Sequence, residues 1–141
     1  MLSASLRKVV KKNRKMPNAV VRMAFKSKYP KATFTIWKQI DVFKWQVNFI
    51  TKERQYTGLF DSEGNWLETI NMVPLNFIPE NVKQSFEEKY GSDGLRQIYQ
   101  IQTPNRTLFE IQWNNDLYAL KLVYDIAGKI VGKMMSKING R

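Results

Sequence analysis

One apolar triplet with helical spacing occurs twice in this chain of 141 residues. Val21, Phe25 and Tyr29 lie four residues apart, and the triplet returns 61 residues later as Val82, Phe86 and Tyr90. Residues spaced by four share one face of a helix, so each triplet predicts a helix with an apolar face. Prolines and a glycine beside the triplets place these helices over residues 17–29 and 79–91. The chain is therefore predicted to contain an internal repeat.

The sequence pattern changes from helical to alternating after each predicted helix. In the first copy the predicted strands are residues 33–37, 42–50, 54–60 and 65–69. The apolar members of the clearest alternation are Phe43, Trp45, Val47 and Phe49 in the first copy, and Phe109, Ile111 and Trp113 in the second. Such alternation is typical of antiparallel strands that bury one face, so these side chains are expected in the core.

Two short segments repeat with an offset of 64 residues and predict hairpin turns. Each has an Asp followed three residues later by a Gly, at Asp61 and Gly64 and again at Asp125 and Gly128. This pattern favours a type I turn closed by a glycine with a positive φ. A calcium loop would need oxygen ligands at alternate positions, and the second copy has only Ile and Ala between its Asp and Gly. No metal site is predicted.

The chain contains no histidine and no cysteine. This composition removes the commonest zinc ligands, the commonest general base near neutral pH, and the thiol nucleophile. Carboxylate pairs, serine with lysine, or tyrosine could still act, but each needs a spatial constellation that the sequence does not display. We therefore predict a protein that is not an enzyme and that uses no cofactor.

The net charge of +11 is concentrated at the N-terminal end. Residues 1–31 hold ten Lys or Arg and no acid, and the remaining 110 residues carry a net charge of only +1. This segment could bind nucleic acid or an anionic membrane, and that is the alternative functional prediction. The simpler interpretation of residues 1–15 is a solvated basic arm. No apolar run of signal-peptide type is visible between Met1 and Lys15, and none is long enough to span a bilayer.

The order of these elements resembles the PepSY-like family, whose repeat pattern is similar to the β-lactamase inhibitor protein fold. The resemblance covers about residues 17–133 and depends on the order of several weak motifs. In the first copy these are the helix ending in Tyr29-Pro30, Trp37, Trp45-x-Val47-x-Phe49 and Phe60-Asp61-x-x-Gly64-x-Trp66; in the second they are Ile78-Pro79, Val82, Phe86, Tyr90, the strand from Phe109 to Trp113 and Tyr124-Asp125-x-x-Gly128.

The resemblance implies an α+β fold of two tandem repeats, each with one helix and a four-stranded antiparallel sheet, and with the helices on one sheet face. The corresponding divisions are a basic arm over 1–15, a first repeat over 16–75, a second repeat over 76–133 and a C-terminal tail over 134–141. The family provides no catalytic residues to transfer. Its members are typically exported, which favours the periplasm or cell envelope, with the cytoplasm as the alternative.

A sheet with helices on one face leaves the other face open for a ligand. We predict that the ligand-binding residues are Trp37, Lys44, Gln46, Asn48, Thr57, Glu110 and Gln112. Trp45 and Trp113 are expected in the core, whereas the side of Trp37 is undecided because Phe34 and Ile36 take the opposite parity. The leading functional prediction is a binding or inhibitory module for a protein or peptide. Nucleic acid is the less favoured partner, because the polar strand face lacks the stacked aromatics of an RNA-binding sheet.

Overall fold

The computed structural model describes residues 15–138. Within this range the α-helices are α1 (Ala19–Lys28) and α2 (Glu80–Lys89). The strands are β1 (Thr33–Asp41), β2 (Lys44–Thr51), β3 (Arg54–Asp61), β4 (Trp66–Met72), β5 (Leu95–Gln102), β6 (Thr107–Asn114), β7 (Tyr118–Asp125) and β8 (Ile130–Lys137). Both helices lie where the apolar triplets predict them. Residues 1–14, which form nearly all of the predicted basic arm, are outside the described residues.

The strands form one eight-stranded antiparallel sheet in which spatial order follows chain order. The α+β class and the antiparallel sheet are therefore confirmed. The chain divides between Thr69 and Ile70 into two compact units, called unit 1 and unit 2. Unit 1 contains α1, β1 to β3 and the first part of β4, and unit 2 contains the remaining elements.

In unit 1, α1 buries one face against the sheet. The helix begins at a cap formed by Asn18, whose side-chain oxygen accepts a hydrogen bond from the Val21 backbone N–H at 3.1 Å. The core contains Val21, Phe25, Trp45, Val47, Phe49 and Phe60. The helical triplet and the alternating strand residues thus meet in one apolar cluster, and the predicted burial of Trp45 is confirmed.

The end of α1 is tied to β4 by a small polar network. The Tyr29 hydroxyl lies 2.6 Å from Thr69 Oγ1, and the Trp66 indole N–H donates to the same oxygen at 2.8 Å. Thr69 is almost completely buried. Because each of these polar groups has a partner, the network can be buried at little cost.

In unit 2, α2 packs on the core in the same manner. The buried cluster consists of Val73, Ile78, Val82, Phe86, Ile98, Phe109, Ile111, Leu120, Leu122 and Tyr124. Trp113 is half-buried against this cluster, and its indole N–H donates to the Gly91 carbonyl at 3.2 Å. The core role predicted for the β6 apolar residues is confirmed.

The two predicted Asp-x-x-Gly turns are confirmed. Gly64 has a φ of 89° and Gly128 a φ of 87°, which is the left-handed conformation that favours glycine. Asp61 Oδ1 accepts the backbone N–H groups of Glu63 and Asn65, both at 2.9 Å. The Asn65 side-chain amide also donates to Asp61 Oδ2 at 3.0 Å, and this bond, with the backbone bonds, lowers the pKa of the Asp61 carboxyl because the charged form is stabilised.

The predicted boundary at Val42 and the buried position of Phe43 are wrong. β1 continues to Asp41 and β2 begins at Lys44, so Val42 and Phe43 form the hairpin turn between them. Asp41 Oδ1 accepts the Phe43 N–H at 2.8 Å and closes this turn. The Phe43 side chain is consequently 71% exposed. Its apolar alternation with Trp45 therefore did not indicate a shared strand.

The C-terminal tail predicted from residue 134 is also wrong in its first part. β8 extends to Lys137, and Met134 and Met135 pair with Lys121 and Leu120 of β7. The segment shows no clear alternation in sequence because β8 is the last strand of the sheet and most of its side chains are exposed. Pairing with β7 stabilises a strand that its own residue pattern does not predict.

Tyr124 provides a test of polar burial in unit 2. Its side chain is fully buried, and the Tyr124 and Tyr90 hydroxyls have no hydrogen-bond partner among residues 15–138. Burial, together with the nearby Tyr90, raises the pKa of Tyr124 to about 12. Because an unsatisfied buried hydroxyl is costly, we expect Tyr124→Phe to raise the free energy of unfolding by about 1 kcal/mol in urea denaturation.

The matched control is Tyr29→Phe in unit 1, which removes a hydroxyl that is hydrogen-bonded to Thr69. We expect this variant to lose about 1 kcal/mol of stability. If Tyr124→Phe also lost stability, its hydroxyl would have to be bonded in solution, for example to an ordered water.

Candidate functional site

The cross-strand register divides the side chains of β1 to β3 between two faces of the sheet. One face carries the row Trp37, Val47 and Gly58, and this is the side on which α1 packs. The opposite face, called the open face, carries the rows Ile36, Asn48, Thr57 and Lys38, Gln46, Leu59. Directly paired residues in antiparallel strands point to the same side, so these rows form one surface.

Four of the predicted site residues lie together on the open face of unit 1. Lys44, Gln46 and Asn48 alternate along β2, and Thr57 pairs with Asn48. The Thr57 hydroxyl donates to Asn48 Oδ1 at 2.8 Å. Lys44 and Asn48 are exposed, whereas Gln46 and Thr57 are half-buried. The structure therefore brings these residues into a single polar surface, and their role in ligand binding stays a prediction.

The assignment of Trp37 to this surface is wrong. Trp37 pairs with Val47, so it points towards α1 and away from the open face. Its ring centroid lies 5.4 Å from that of Phe25 in an edge-on contact, and 6.5 Å from that of Trp45. Such aromatic pairs stabilise a core. Trp37 is a half-buried member of the unit 1 core.

The open face has an apolar end that the sequence analysis did not identify as a site. Phe34 is 79% exposed and Ile36 is 61% exposed. A shallow groove of about 480 Å³ adjoins them. Its lining residues are Phe34, Ile36, Asn48, Phe49, Ile50, Gln55, Tyr56 and Thr57. The sequence showed that Phe34 and Ile36 lie on the opposite side of the strand from Trp37. It did not show which side faces solvent, because that depends on the pairing of β1 with β2.

Phe34 has an unusual backbone conformation. Its φ is 53°, in the left-handed region that non-glycine residues rarely occupy. The same part of β1 has a register irregularity between Thr33 and Ile36. A bulky residue in such a conformation costs of order 1–3 kcal/mol, and such strain concentrates at functional sites. Here the strain accompanies an aromatic ring that is directed to solvent beside a groove.

Charges on the open face are mixed near Lys44. The half-buried Glu68 carboxyl has a raised pKa because burial disfavours its charged form, and the positive charge of Lys44 opposes this shift. Lys38 lies in the neighbouring row and forms no ion pair within residues 15–138. The polar part of the open face thus combines amide groups with charged groups, of which Glu68 and Lys44 interact with each other and Lys38 forms no ion pair within residues 15–138.

A second cavity lies along β1. It has a volume of about 510 Å³ and is lined by Lys15 and the six consecutive residues from Trp37 to Val42. β1 is the first strand of the sheet, so one of its edges has no neighbouring strand among residues 15–138. Free edges of this kind can accept an extended segment through main-chain hydrogen bonds.

The remaining predicted site residues, Glu110 and Gln112, belong to unit 2. The Gln112 side-chain amide donates to Glu110 Oε2 at 2.8 Å. In the neighbouring strand, the Tyr99 hydroxyl donates to Gln97 Oε1 at 2.7 Å. These pairs point to the same side of their strands, because Tyr99 is opposite Glu110 and Gln97 is opposite Gln112. Their hydrogen bonds are largely satisfied within unit 2.

No group of three or more potential metal-ligating side chains occurs within residues 15–138. In the same part of the chain, no helix has the length and apolar character required to cross a membrane. The site features described above are therefore an exposed apolar end, an adjacent polar surface and a free strand edge.

Family comparison identifies the chain. Residues 44–132, well over half of it, match the family model described as "Putative beta-lactamase-inhibitor-like, PepSY-like". The chain belongs to the PepSY-like family. The matched range includes β2 and β3, which carry the polar residues of the open face, and it also includes α2. No curated protein sequence matches this PepSY-like chain.

Solved structures share the fold of the PepSY-like chain. A BLIP-like protein from Bacteroides fragilis has a TM-score of 0.80 at 22% identity, over 92% of this chain and 93% of that chain. A DUF2874 family protein from Bacteroides ovatus has a TM-score of 0.78 at 21% identity, over 86% and 89%. A structure from Bacteroides eggerthii, described as "putative periplasmic proteins", has a TM-score of 0.78 at 19% identity, over 86% and 90%. These similarities establish a BLIP-like fold, and function must be argued from the site.

Proposed function

We propose that this PepSY-like chain is a non-catalytic module that binds a protein or peptide through the open face of unit 1. The observation that carries the proposal is the exposed pair Phe34 and Ile36 beside a groove that also presents Asn48 and Thr57. The inhibitor-like description of the family supports the same class of function.

The composition of this surface fits protein recognition. Protein interfaces combine a few large apolar or aromatic contacts with a surrounding polar rim. Phe34 and Ile36 form the apolar part, and Asn48 offers an amide nitrogen that has no partner among the described residues. The strained backbone at Phe34 holds the ring in an exposed position before a ligand arrives. Such preorganisation lowers the entropic cost of binding.

The absence of histidine and cysteine supports a non-catalytic role. Glu68 has a raised pKa, but its charge partner is Lys44 on a sheet surface, and neither residue lines the shallow groove at the other end of β2. A general acid or base normally acts in a water-excluding cleft with a second functional group in reach. The open face favours binding of a surface over reaction with a small molecule.

We also propose that the chain contains two tandem copies of one α-β4 repeat, over about residues 16–75 and 76–137. Two observations support this proposal. Each helix is followed by four strands in the chain, and the Asp-x-x-Gly turns have nearly identical φ values at Gly64 and Gly128. The exposed pair Phe34 and Ile36 belongs to the first copy, which is therefore the copy proposed to bind the partner.

A location in the cell envelope agrees with the proposal. The Bacteroides eggerthii structure of the same fold is described as "putative periplasmic proteins". The partner is then a protein or peptide of that compartment. Fractionation followed by immunoblotting would test this location.

Substitution of Ile36 tests the binding surface. We expect Ile36→Glu to weaken capture of the native partner from an envelope extract by roughly 30-fold, as loss of a hot spot of about 2 kcal/mol does. The side chain is exposed, so stability should change by less than about 0.5 kcal/mol. The measurement is capture on immobilised protein across a dilution series, with the retained protein quantified by mass spectrometry.

The matched control is Ile126→Glu in the turn between β7 and β8. Ile126 is 60% exposed, almost the same as Ile36 at 61%, and the charge change is identical. Full capture by the control and loss by Ile36→Glu would support the open face. Equal capture by both variants would refute it.

A further inference from the structure

The outward side of α1 is a second surface with its own chemistry. Ala19, Arg22, Met23 and Lys26 follow helical spacing and together line a shallow groove of about 220 Å³. All four are exposed, whereas Val21 and Phe25 on the inward side are buried. Met23 is 70% exposed. α1 thus has apolar residues on both sides, and only the inward ones are explained by the core.

The charged side chains of α1 and its flanking residues are all positive, and the nearest acids are those of the Asp61–Gly64 turn beside Val20. From Lys15 to Ile40 the sequence contains no acid, and neither Arg22 nor Lys26 forms an ion pair among the residues described. Met16 and Val20 add exposed apolar surface just before and within the first turn of α1. Lys28 is engaged elsewhere, because its ammonium lies 3.7 Å from the centre of the Trp66 ring. The remaining cations are free to meet a negative partner.

α2 shows that the fold itself does not require this composition. The positions 61 residues after Ala19, Arg22, Met23 and Lys26 are Glu80, Lys83, Gln84 and Glu87. α2 carries no large exposed apolar side chain, and its corresponding surface holds more acids than bases. A helix in the same position of unit 2 therefore folds with an ordinary solvated face. The apolar and basic character is specific to α1.

We propose that the outward side of α1 docks on an anionic phospholipid surface. A helix that presents exposed apolar side chains between Lys and Arg residues has the composition of an interfacial membrane helix. Met23 and Ala19 would enter the headgroup region while Arg22 and Lys26 contact lipid phosphates. Nucleic acid would also attract the cations, but it offers no apolar phase for Met23.

The lack of cysteine allows a site-specific test on the full chain. Met23→Cys is labelled with an environment-sensitive fluorophore and mixed with phosphatidylcholine vesicles that contain phosphatidylglycerol. We expect a blue shift with increased intensity, because the label leaves water at the bilayer surface. Gln84→Cys, labelled at the corresponding position of α2, should stay unshifted. Pure phosphatidylcholine vesicles should leave both labels unshifted.

A second pair of variants tests the charges. Arg22→Gln combined with Lys26→Gln should weaken vesicle co-sedimentation by roughly 10-fold or more at low salt, because each cation near an anionic surface contributes to binding. Lys83→Gln in α2 should sediment like the wild-type protein. Circular dichroism would verify that all variants retain the fold.

Three results would overturn the proposal. The first is vesicle binding without a shift at position 23, which would assign binding to other basic residues. The second is no binding to the anionic vesicles at all. The third is a response to duplex DNA at moderate salt that exceeds the response to vesicles, which would identify the partner as nucleic acid.

Discussion

Trp37→Ala should lower the free energy of unfolding by about 2 kcal/mol, less than the truncation of a fully buried aromatic residue costs, because Trp37 is half-buried. The Trp37 ring contacts Phe25 at 5.4 Å and Phe60 at 6.5 Å between centroids. Truncation would leave a cavity beneath the β1 edge that these rings cannot fill. Urea denaturation followed by circular dichroism measures the effect.

Lys38→Ala is the neighbouring control, because Lys38 is exposed and lies in the open-face row. Its stability should remain within about 0.5 kcal/mol of wild type. A Trp37→Ala variant of nearly wild-type stability that lost partner capture would show that the tryptophan belongs to the binding surface after all. If Trp37→Ala unfolds and Lys38→Ala keeps wild-type stability, the result would agree with a core position for Trp37.

Gly128→Ala should destabilise unit 2 by about 3 kcal/mol or more, because strain and collision add together. A Cβ at this position would lie 2.4 Å from the Asn81 carbonyl oxygen and 2.9 Å from Ser85 Oγ. The Asn81 carbonyl is backbone in the first turn of α2, so it can move only if the helix moves. The φ of 87° adds the strain of a left-handed alanine.

Gly91→Ala separates these two contributions. Gly91 has a similar φ of 78°, but no atom lies within 4 Å of an added Cβ. Its ψ of 160° lies in a region that is essentially restricted to glycine, so this variant should lose only the conformational part, of order 1–3 kcal/mol. Thermal melts of both variants give the comparison. If Gly128→Ala were no worse than Gly91→Ala, the turn and α2 would not be in close contact in solution.

The elements of the fold that depend on residues close to one another in the chain could be predicted from the sequence. Helical spacing at Val21 and Phe25 and the Asp-x-x-Gly turns are determined by interactions within a few residues, and both predictions are confirmed. β8 and the start of β2 were predicted wrongly because they depend on pairing. Met134 belongs to a strand through β7, and Phe43 belongs to a turn through the Asp41 side chain.

The candidate site was also predicted only in part, because some of its residues depend on strand pairing. Alternation along β2 identified Lys44, Gln46 and Asn48 as one surface, because a strand has a fixed period of two. The exposed end of that surface was missed, since the direction of Phe34 and Ile36 depends on the register of β1 against β2. The irregularity after Thr33 and the positive φ at Phe34 leave no signature in the residue types.

The sheet joins strands in the order in which they occur in the chain. Within each group of four strands, every strand follows its neighbour across a short connection, and only two residues separate β1 from β2 and β2 from β3. The exception is the step from β4 to β5, whose connection contains α2. Short loops close rapidly and with a small entropic cost, so such a topology can form by successive addition of hairpins. During synthesis, each strand other than β1 and β5 emerges when the strand on the other side of its hairpin is already available. A nascent chain of this design spends little time with an unpaired strand exposed to other chains.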